Sequence, residues 1–270
     1  MAASNRCCLN EKVPMLRSVL YAFAFYLTTT LFLIFGSPLL LAPRRLAMMG
    51  LRAHARTSQW LLEIICGTRL EVRGREKLPE GPCLIVAKHQ SAWDTFALIP
   101  LFRDPAVVLK DELKWIPLYG WFCVKFEHIL VRRDKAAAAL KTLLRDAAAR
   151  VGEGREILIF PEGTRRAPGA EPDYKPGYIA LYEHLGVTCV PLALNSGAFW
   201  PRRSLMRYQG TIVVEFLDPI PPGLPRKDFR RLIEAQIEAA TDQLLVETAR
   251  TQPVPCLGPE ARQRLQKLNV

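Results

Sequence analysis

The chain has 270 residues and half of them are apolar, which suits one domain with a sizeable core and disfavours an intrinsically disordered protein. Its formal net charge is +11, from 37 basic and 26 acidic residues. Such an excess fits binding to nucleic acid or to an anionic membrane surface, and it equally fits a charge that only keeps the protein soluble.

An uncharged, apolar segment runs from Ser18 to Pro43. Its first part, residues 18–36, predicts a helix of roughly 28 Å, close to the hydrocarbon thickness of a bilayer. Basic residues flank the segment on both sides, so they do not define a simple orientation. They favour a helix pair that dips into one leaflet with both flanks in the cytoplasm, and a single span is the alternative.

A second helix is predicted from Arg44 to Gly67, with apolar and basic residues interleaved. It is either an interfacial amphipathic helix or a helix packed on the surface of the following domain. His54, within it, is expected on a solvated face. Residues 1–67 are therefore predicted to form a membrane-associated helix pair.

From residue 68 to residue 250, short apolar strands alternate with helices. Strands are expected at 69–73, 83–87, 106–110, 126–131, 156–160, 187–194 and 211–216, and helices at 136–151, 177–185 and 226–249. This alternation predicts an α/β domain whose mostly parallel sheet is covered by helices on both faces. Residues 251–270 are predicted to be a polar tail.

A histidine and an aspartate follow the strand expected at 83–87. His89 and Asp94 are five positions apart, and residues with this spacing do not share a face of one helix. Their side chains therefore meet only if His89 precedes the helix and Asp94 lies in its first turn. Asp94 would then hold one ring nitrogen, and the other nitrogen would accept a proton from a substrate hydroxyl. The alternative is a helix-capping aspartate beside an unrelated histidine.

The His-x-x-x-x-Asp pattern at 89–94 is followed, roughly seventy residues later, by Phe-Pro-Glu-Gly-Thr-Arg at 160–165. These two blocks, in this order, resemble those of the glycerolipid acyltransferases, and among them the 1-acylglycerol-3-phosphate (lysophosphatidate) acyltransferases. The resemblance extends from about Leu70 to about Phe216.

The resemblance implies catalytic roles for His89 as the general base and for Asp94 as the group that orients it. The second block is implied in binding the acyl acceptor through backbone N–H groups and a guanidinium. Its members are Glu162, Gly163, Thr164 and Arg165.

Two positions depart from the family pattern. Val131-Arg132-Arg133 stands where the family has a block resembling Ile-Asp-Arg, and register assigns the phosphate-binding role to Arg133, with Arg132 as the alternative. Lys88 stands where many members have asparagine, which adds a positive charge beside the base.

A further block at 190–197 resembles the family's Val-Pro-Val-Ala strand with its following turn. Asn195 and Ser196, in that turn, are expected to face the substrate. His128 and His184 are predicted to be structural or surface residues. Because the chain has no Gly-x-Ser-x-Gly elbow, Walker loop or His-Glu-x-x-His pattern, no protein nucleophile and no metal or cofactor is expected.

The implied reaction transfers a fatty acyl group from acyl-CoA or acyl carrier protein to the sn-2 hydroxyl of lysophosphatidate, which gives phosphatidate. Expected partners are these substrates and membrane lipid, and no nucleic acid, since no reading motif is present. The acceptor alternatives are glycerol 3-phosphate, another lysophospholipid and a lyso-aminolipid. A non-catalytic protein that binds membranes or nucleic acid is the alternative of another class. Composition favours a bacterial inner membrane with the catalytic domain on the cytoplasmic side.

Overall fold

The computed structural model describes residues 12–132 and 136–270. Its helices are α1 Lys12–Phe35, α2 Arg44–Cys66, α3 Asp94–Ala97, α4 Tyr119–Lys125, α5 Ala136–Gly152, α6 Gly177–Leu185, α7 Ser196–Phe199, α8 Arg226–Arg250 and α9 Pro259–Lys267. Its strands are β1 Thr68–Arg73, β2 Leu84–Ala87, β3 Ala106–Lys110, β4 Ile129–Val131, β5 Ile157–Ile159, β6 Cys189–Leu194 and β7 Gly210–Phe216. Short 3₁₀ turns occupy Ser37–Leu40, Arg75–Lys77, Ile99–Leu101 and Asp111–Trp115.

The strands form one seven-stranded sheet in the order β1-β7-β6-β2-β5-β3-β4. All neighbouring strands are parallel except β6 and β7, so β1 and β7 run opposite to the other five. The mostly parallel sheet predicted from the alternation of strands and helices is thus confirmed. Strands β2, β5 and β6 lie in its middle and are buried along their whole length, which explains their short, continuous apolar runs.

Apolar cores lie on both faces of the sheet. Alternate residues of β2 point to opposite faces, so Ile85 packs in one core and Leu84 in the other. The first core includes residues of α1, α2 and α3, and the second includes residues of α5, α6 and α8. The expected cover of helices on both faces is therefore confirmed.

Helix α1 is the one helix of the described residues that is long and apolar enough to cross a membrane. Within Pro14–Phe35, only 11% of the apolar window is buried inside the protein. The buried part of α1 packs on the α/β domain, where the rings of Tyr21 and Phe25 contact Trp200. A mostly exposed apolar helix of this length fits membrane association.

Helix α2 packs directly on the α/β domain. Arg44 at its start forms a bidentate ion pair with Asp104, with N–O distances of 2.6 and 2.8 Å. Further along, Gln59 accepts a hydrogen bond of 2.7 Å from the indole of Trp93. One side of α2 therefore packs on the domain, so the helix is not purely interfacial. Trp60, on another side of α2, is 58% exposed.

Two segments differ from the sequence predictions. Strand β4 is shorter than the expected 126–131, because Glu127 has a positive φ of 55° and interrupts an extended chain. The predicted polar tail contains α9, which buries Ala261 and Leu265. The division of the chain at residue 250 remains a prediction, but residues after it pack on the domain, and Arg264 forms an ion pair of 2.6 Å with Asp242 of α8.

Candidate active site

The candidate site lies at the carboxyl edge of the sheet. Strands β5, β2 and β6 are adjacent and parallel, so the chain segments that follow them emerge side by side. His89 follows β2, Glu162 follows β5 and Ser196 follows β6. The sequence blocks therefore converge because of strand order, at the edge where open α/β sheets place their ligands.

The first block has the geometry predicted from its spacing. Asp94 is the first residue of α3, and His89 lies in the loop before it. The distance from His89 Nδ1 to Asp94 Oδ2 is 2.9 Å. No described residue forms a hydrogen bond with His89 Nε2, so this nitrogen is available to a ligand. Phe160 stacks on the imidazole, with ring centroids 4.2 Å apart, and limits the orientation of the ring.

Asp94 is fully buried and accepts four hydrogen bonds. Its Oδ2 also accepts from the backbone N–H groups of Gln90 and Ser91, at 2.8 and 2.9 Å. Its Oδ1 accepts from the hydroxyl of Ser196 at 2.5 Å. Four donors around one carboxylate fix its position. Asp94 can therefore hold a protonated Nδ1 on His89 and leave Nε2 as the basic nitrogen.

The second block holds the peptide groups of His89. The carboxylate of Glu162 accepts from the N–H of His89 at 3.4 Å, and the carbonyl of His89 accepts from the N–H of Arg166 at 2.8 Å. Both sides of the histidine's backbone are thus bonded to the loop that follows β5. The position of His89 therefore depends on the loop that follows β5 as well as on Asp94.

A buried charge cluster lies beneath the histidine. Lys88 is 2% exposed, and its Nζ lies 3.0 Å from Glu162 Oε1 and 2.7 Å from Glu238 Oε1 of α8. The hydroxyl of Tyr174 donates a further bond of 2.7 Å to Glu238. Burial raises the pKa of Glu162, and the nearby ammonium of Lys88 opposes this shift. The charge that Lys88 adds is therefore balanced within the protein and is not presented to a ligand.

The remaining residues of the second block differ in their surroundings. Gly163 has a φ of 62°, a left-handed conformation that glycine adopts without strain. Thr164 is exposed, and Arg165 is half-buried. The guanidinium of Arg165 has no hydrogen-bonding partner among the described residues. Arg133, predicted to bind phosphate, lies outside the described residues, so its role stays a prediction.

A cavity of about 980 Å³ opens beside the site, between the two N-terminal helices and the domain. Most of its lining is apolar, and α1 and α2 supply much of that lining, including Phe25, Phe32 and Leu51. The cavity reaches the site at Ala92 and Arg165. Its size and apolar walls fit the chain of a lipid.

Three expectations about individual residues change. Asn195 does not face a ligand: it is buried, accepts from the N–H of Val213 at 2.7 Å and donates to Thr248 at 2.9 Å. Ser196 faces Asp94 rather than a substrate. His54 is half-buried because α1 covers that face of α2, and its Nε2 lies 3.0 Å from the hydroxyl of Thr29. Burial lowers the pKa of His54.

His128 is a structural residue, as predicted, since its Nδ1 accepts a bond of 3.2 Å from the N–H of Val107. Sequence reasoning missed the supports of the site, namely Ser196 as a donor to Asp94 and Glu238 as a partner of Lys88. The position of Ser196 after an apolar strand was a usable signal, because the ends of parallel strands share an edge. Nothing in the sequence connects Glu238 to Lys88. Among residues 12–132 and 136–270, no group of His, Cys, Asp and Glu side chains is arranged to hold a metal ion.

Comparisons with known proteins agree with this site. A family model described as Acyltransferase matches residues 69–195, which contain both blocks. The chain is 40% identical to the 1-acyl-sn-glycerol-3-phosphate acyltransferase of Pseudomonas aeruginosa over 155 residues, 57% of this chain and 60% of that protein. It is 31% identical to a 1-acyl-sn-glycerol-3-phosphate acyltransferase of Chlamydomonas reinhardtii over 252 residues, 87% of this chain and 71% of that protein.

A solved structure shares the fold. The crystal structure of the 1-acyl-sn-glycerophosphate (LPA) acyltransferase PlsC from Thermotoga maritima aligns with a TM-score of 0.69 at 19% identity. The alignment covers 85% of this chain and 97% of that chain. At this level of identity the likeness establishes the common architecture and nothing about substrates.

Proposed function

Because this chain belongs to the acyltransferase family, we propose that it transfers a fatty acyl group to the sn-2 hydroxyl of lysophosphatidate and so forms phosphatidate. The observation that carries the proposal is the His89–Asp94 pair, with a free Nε2, in the loop whose Ala92 lines an apolar cavity. Arg165 lines the same cavity. The names of the relatives support lysophosphatidate as the acceptor.

In the proposed reaction, His89 Nε2 accepts the proton of the acceptor hydroxyl while that oxygen attacks the carbonyl carbon of an acyl thioester. Asp94 stabilises the imidazolium that forms, and the tetrahedral intermediate then expels the thiolate. The imidazolium returns its proton to this sulfur, so the products are the ester and a free thiol. Because a thiolate leaves readily, no acyl-enzyme is required. A base of this kind contributes about two to four orders of magnitude to the rate.

The donor is proposed to be acyl-CoA or an acylated carrier protein, both of which are thioesters. The size and apolar lining of the cavity support binding of a fatty acyl chain, and Arg165, which lines it, is proposed to contact the phosphate of the acceptor. Glu162, Gly163 and Thr164 complete the proposed acceptor-binding block, with Glu162 acting through the backbone of His89. Lys88, which stands where many family members have asparagine, gives no reason to prefer another acceptor, because the charge of Lys88 is neutralised by two carboxylates.

Helix α1, with its low burial, supports a membrane location for the reaction. We place the protein at a bacterial inner membrane with the catalytic domain on the cytoplasmic side. A lipid acceptor would then reach the cavity from the bilayer, and a soluble thioester would arrive from the aqueous side. Labelling of single cysteines by membrane-impermeant reagents in intact cells tests this orientation.

The test of function is acyl transfer from labelled oleoyl-CoA, or oleoyl-carrier protein, in membranes that contain the full chain. The acceptor panel comprises lysophosphatidate, lysophosphatidylcholine, glycerol 3-phosphate and a lyso-aminolipid. We expect labelled phosphatidate with the wild type and none above background with His89→Ala. Product from a different acceptor alone would reject the proposed substrate, and no transfer from either donor in folded protein would reject the enzyme.

A further inference from the structure

A second part of the cavity wall also contains arginine, and it lies outside the two sequence blocks. Arg207 lies in the loop that connects α7 to β7, and it is 8% exposed. Its Nη1 donates to the carbonyls of Ser204 and Met206 at 2.9 and 2.8 Å, and its guanidinium lies 3.9 Å from the ring centroid of Trp200. Its Nε is buried and has no hydrogen-bonding partner in the structure.

No carboxylate of the described residues pairs with this guanidinium. The groups that influence it are Tyr21, Cys66 and Tyr26, none of which is a carboxylate. Burial lowers the pKa of Arg207 to about 10, so the side chain still carries its charge at neutral pH. A buried charge without a counter-ion opposes folding, and proteins rarely retain one unless something else supplies the opposite charge.

Arg207 lines the same cavity as Arg165, together with the exposed Arg203 from its own loop. Most of the remaining lining is apolar. The hydroxyl of Ser18 on α1 accepts from the N–H of Arg207 at 2.8 Å and so fixes its backbone. A fixed backbone, a stacked guanidinium and the lack of a carboxylate partner among the described residues, at a cavity wall, are the components of an anion-binding position.

We propose that Arg207, assisted by Arg203, binds a phosphate group of a substrate inside the cavity, at a subsite separate from the Glu162–Arg165 block. The inference rests on the proposed function for the source of that phosphate. The phosphate belongs either to the acceptor, as a phosphomonoester, or to the donor, as a phosphate of CoA or of a phosphopantetheine arm. In either case the anion supplies the counter-charge that the protein lacks.

The test measures equilibrium binding by the full chain in detergent micelles, without turnover. Three probes are titrated separately: 1-oleoyl-lysophosphatidate, oleoyl-CoA and 1-oleoylglycerol, which has the same chain and no phosphate. In Arg207→Met we expect binding of one phosphate-bearing probe to weaken about ten- to hundredfold, with 1-oleoylglycerol unchanged. Weaker lysophosphatidate binding assigns the subsite to the acceptor, and weaker oleoyl-CoA binding assigns it to the donor.

Arg202→Met is the matched control, because Arg202 lies on the same loop and does not line the cavity. It should bind all three probes as the wild type does. Arg207→Lys keeps the charge and loses the planar fork, so it should weaken the same probe by a smaller factor and gives a second variant if Arg207→Met fails to fold. Equal weakening of all three probes, or of none, overturns the proposal. Since no acyl transfer is measured, this result is independent of whether the wild type is an active lysophosphatidate acyltransferase.

Discussion

We propose that Asp94 determines which nitrogen of His89 carries a proton. Its two oxygens accept four hydrogen bonds, and an asparagine offers only one oxygen and a competing NH₂ group. In Asp94→Asn we therefore expect kcat to fall by about two to four orders of magnitude, because the ring loses both its fixed tautomer and the charge that stabilises the imidazolium. The measurement is the rate of labelled phosphatidate formation at saturating substrates.

Ser196→Ala is the graded control for this prediction. It removes one of the four donors to Asp94 and leaves the carboxylate and its bond to His89 in place. We expect a loss on the order of tenfold, since the remaining three bonds still fix the carboxylate. A loss as large as that of Asp94→Asn would show that the hydroxyl acts in the reaction itself rather than by positioning Asp94.

Lys88 neutralises two carboxylates that would otherwise repel each other. In Lys88→Met, Glu162 and Glu238 lose their common partner, and Glu162 remains buried without a counter-charge. We expect a destabilisation of about 3–5 kcal/mol, which is typical of removing one member of a buried ion pair. Thermal unfolding in detergent measures the effect, with the exposed Lys110→Met on β3 as the control. Equal melting temperatures for the two variants would contradict the prediction.

His128 makes the stability of the fold depend on pH. Burial lowers its pKa from 6.5 to about 3, with Arg155 contributing in the same direction. Between these pH values the unfolded chain binds a proton that the native state does not, so native stability is lost as the pH falls below 6.5. The protonated ring also cannot accept the hydrogen bond from Val107.

The matching experiment compares unfolding free energies between pH 7 and pH 4. We expect the stability of His128→Asn to depend less steeply on pH than that of the wild type, by up to about 1 kcal/mol per pH unit, since one proton fewer is taken up on unfolding. Asparagine can keep an oxygen near the position of Nδ1. The solvent-exposed His184→Asn serves as the control, and the same slope in all three proteins would refute the assignment.

Among the elements, α9 supports the loop that follows the second block. It packs against the loop after Arg166, where a side chain at Gly169 would lie 2.7 Å from the carbonyl oxygen of Glu260. Leu265 anchors the helix and is 8% exposed. We expect Leu265→Ala to destabilise the protein by about 2 kcal/mol or more, because it leaves a gap in the packed surface. The exposed Gln266→Ala should melt like the wild type, and equal destabilisation by the two variants would contradict an anchoring role for Leu265.

Some of the helices and strands can be predicted from the sequence and others cannot. Strands β2, β5 and β6 are predictable because central parallel strands are apolar on both faces. Helix α9 was not predicted, because it makes few apolar contacts. Helix α4 was not predicted, because Pro117 and Gly120 are residues typical of irregular segments. The His–Asp pair follows from local spacing. The bond between Lys88 and Glu238 joins residues 150 positions apart, and only the three-dimensional packing of α8 brings them together.

As a whole, the molecule combines an exposed apolar helix with a net charge of +11. Both features favour binding to a bilayer, and only the charge favours an anionic one, so they respond differently to salt. Raising the ionic strength from about 0.01 M to about 1 M shortens the Debye length from about 30 Å to about 3 Å. We expect binding to anionic vesicles to weaken by about tenfold or more over this range, as the electrostatic attraction is screened and the apolar contribution of α1 remains.

Co-sedimentation of the full chain with vesicles measures this dependence. Zwitterionic vesicles provide the reference, since they lack the surface charge, and binding to them should change little with salt. A salt response that is identical on both kinds of vesicle would mean that the basic residues do not meet the lipid surface. No response on anionic vesicles would assign the attachment to α1 alone.

The hydrogen bonds that join His89 to the loop after β5 have a consequence for regiochemistry. The N–H and the carbonyl of His89 are bonded to Glu162 and Arg166, so the backbone of His89 is tied to the loop that carries Arg165. In the proposed reaction, a phosphate held by Arg165 and a hydroxyl presented to His89 would therefore lie at a set distance from each other. An acceptor would then be selected by the number of covalent bonds between its phosphate and its free hydroxyl. Lysophosphatidate isomers that carry the same atoms and the same charge would be distinguished by this distance alone.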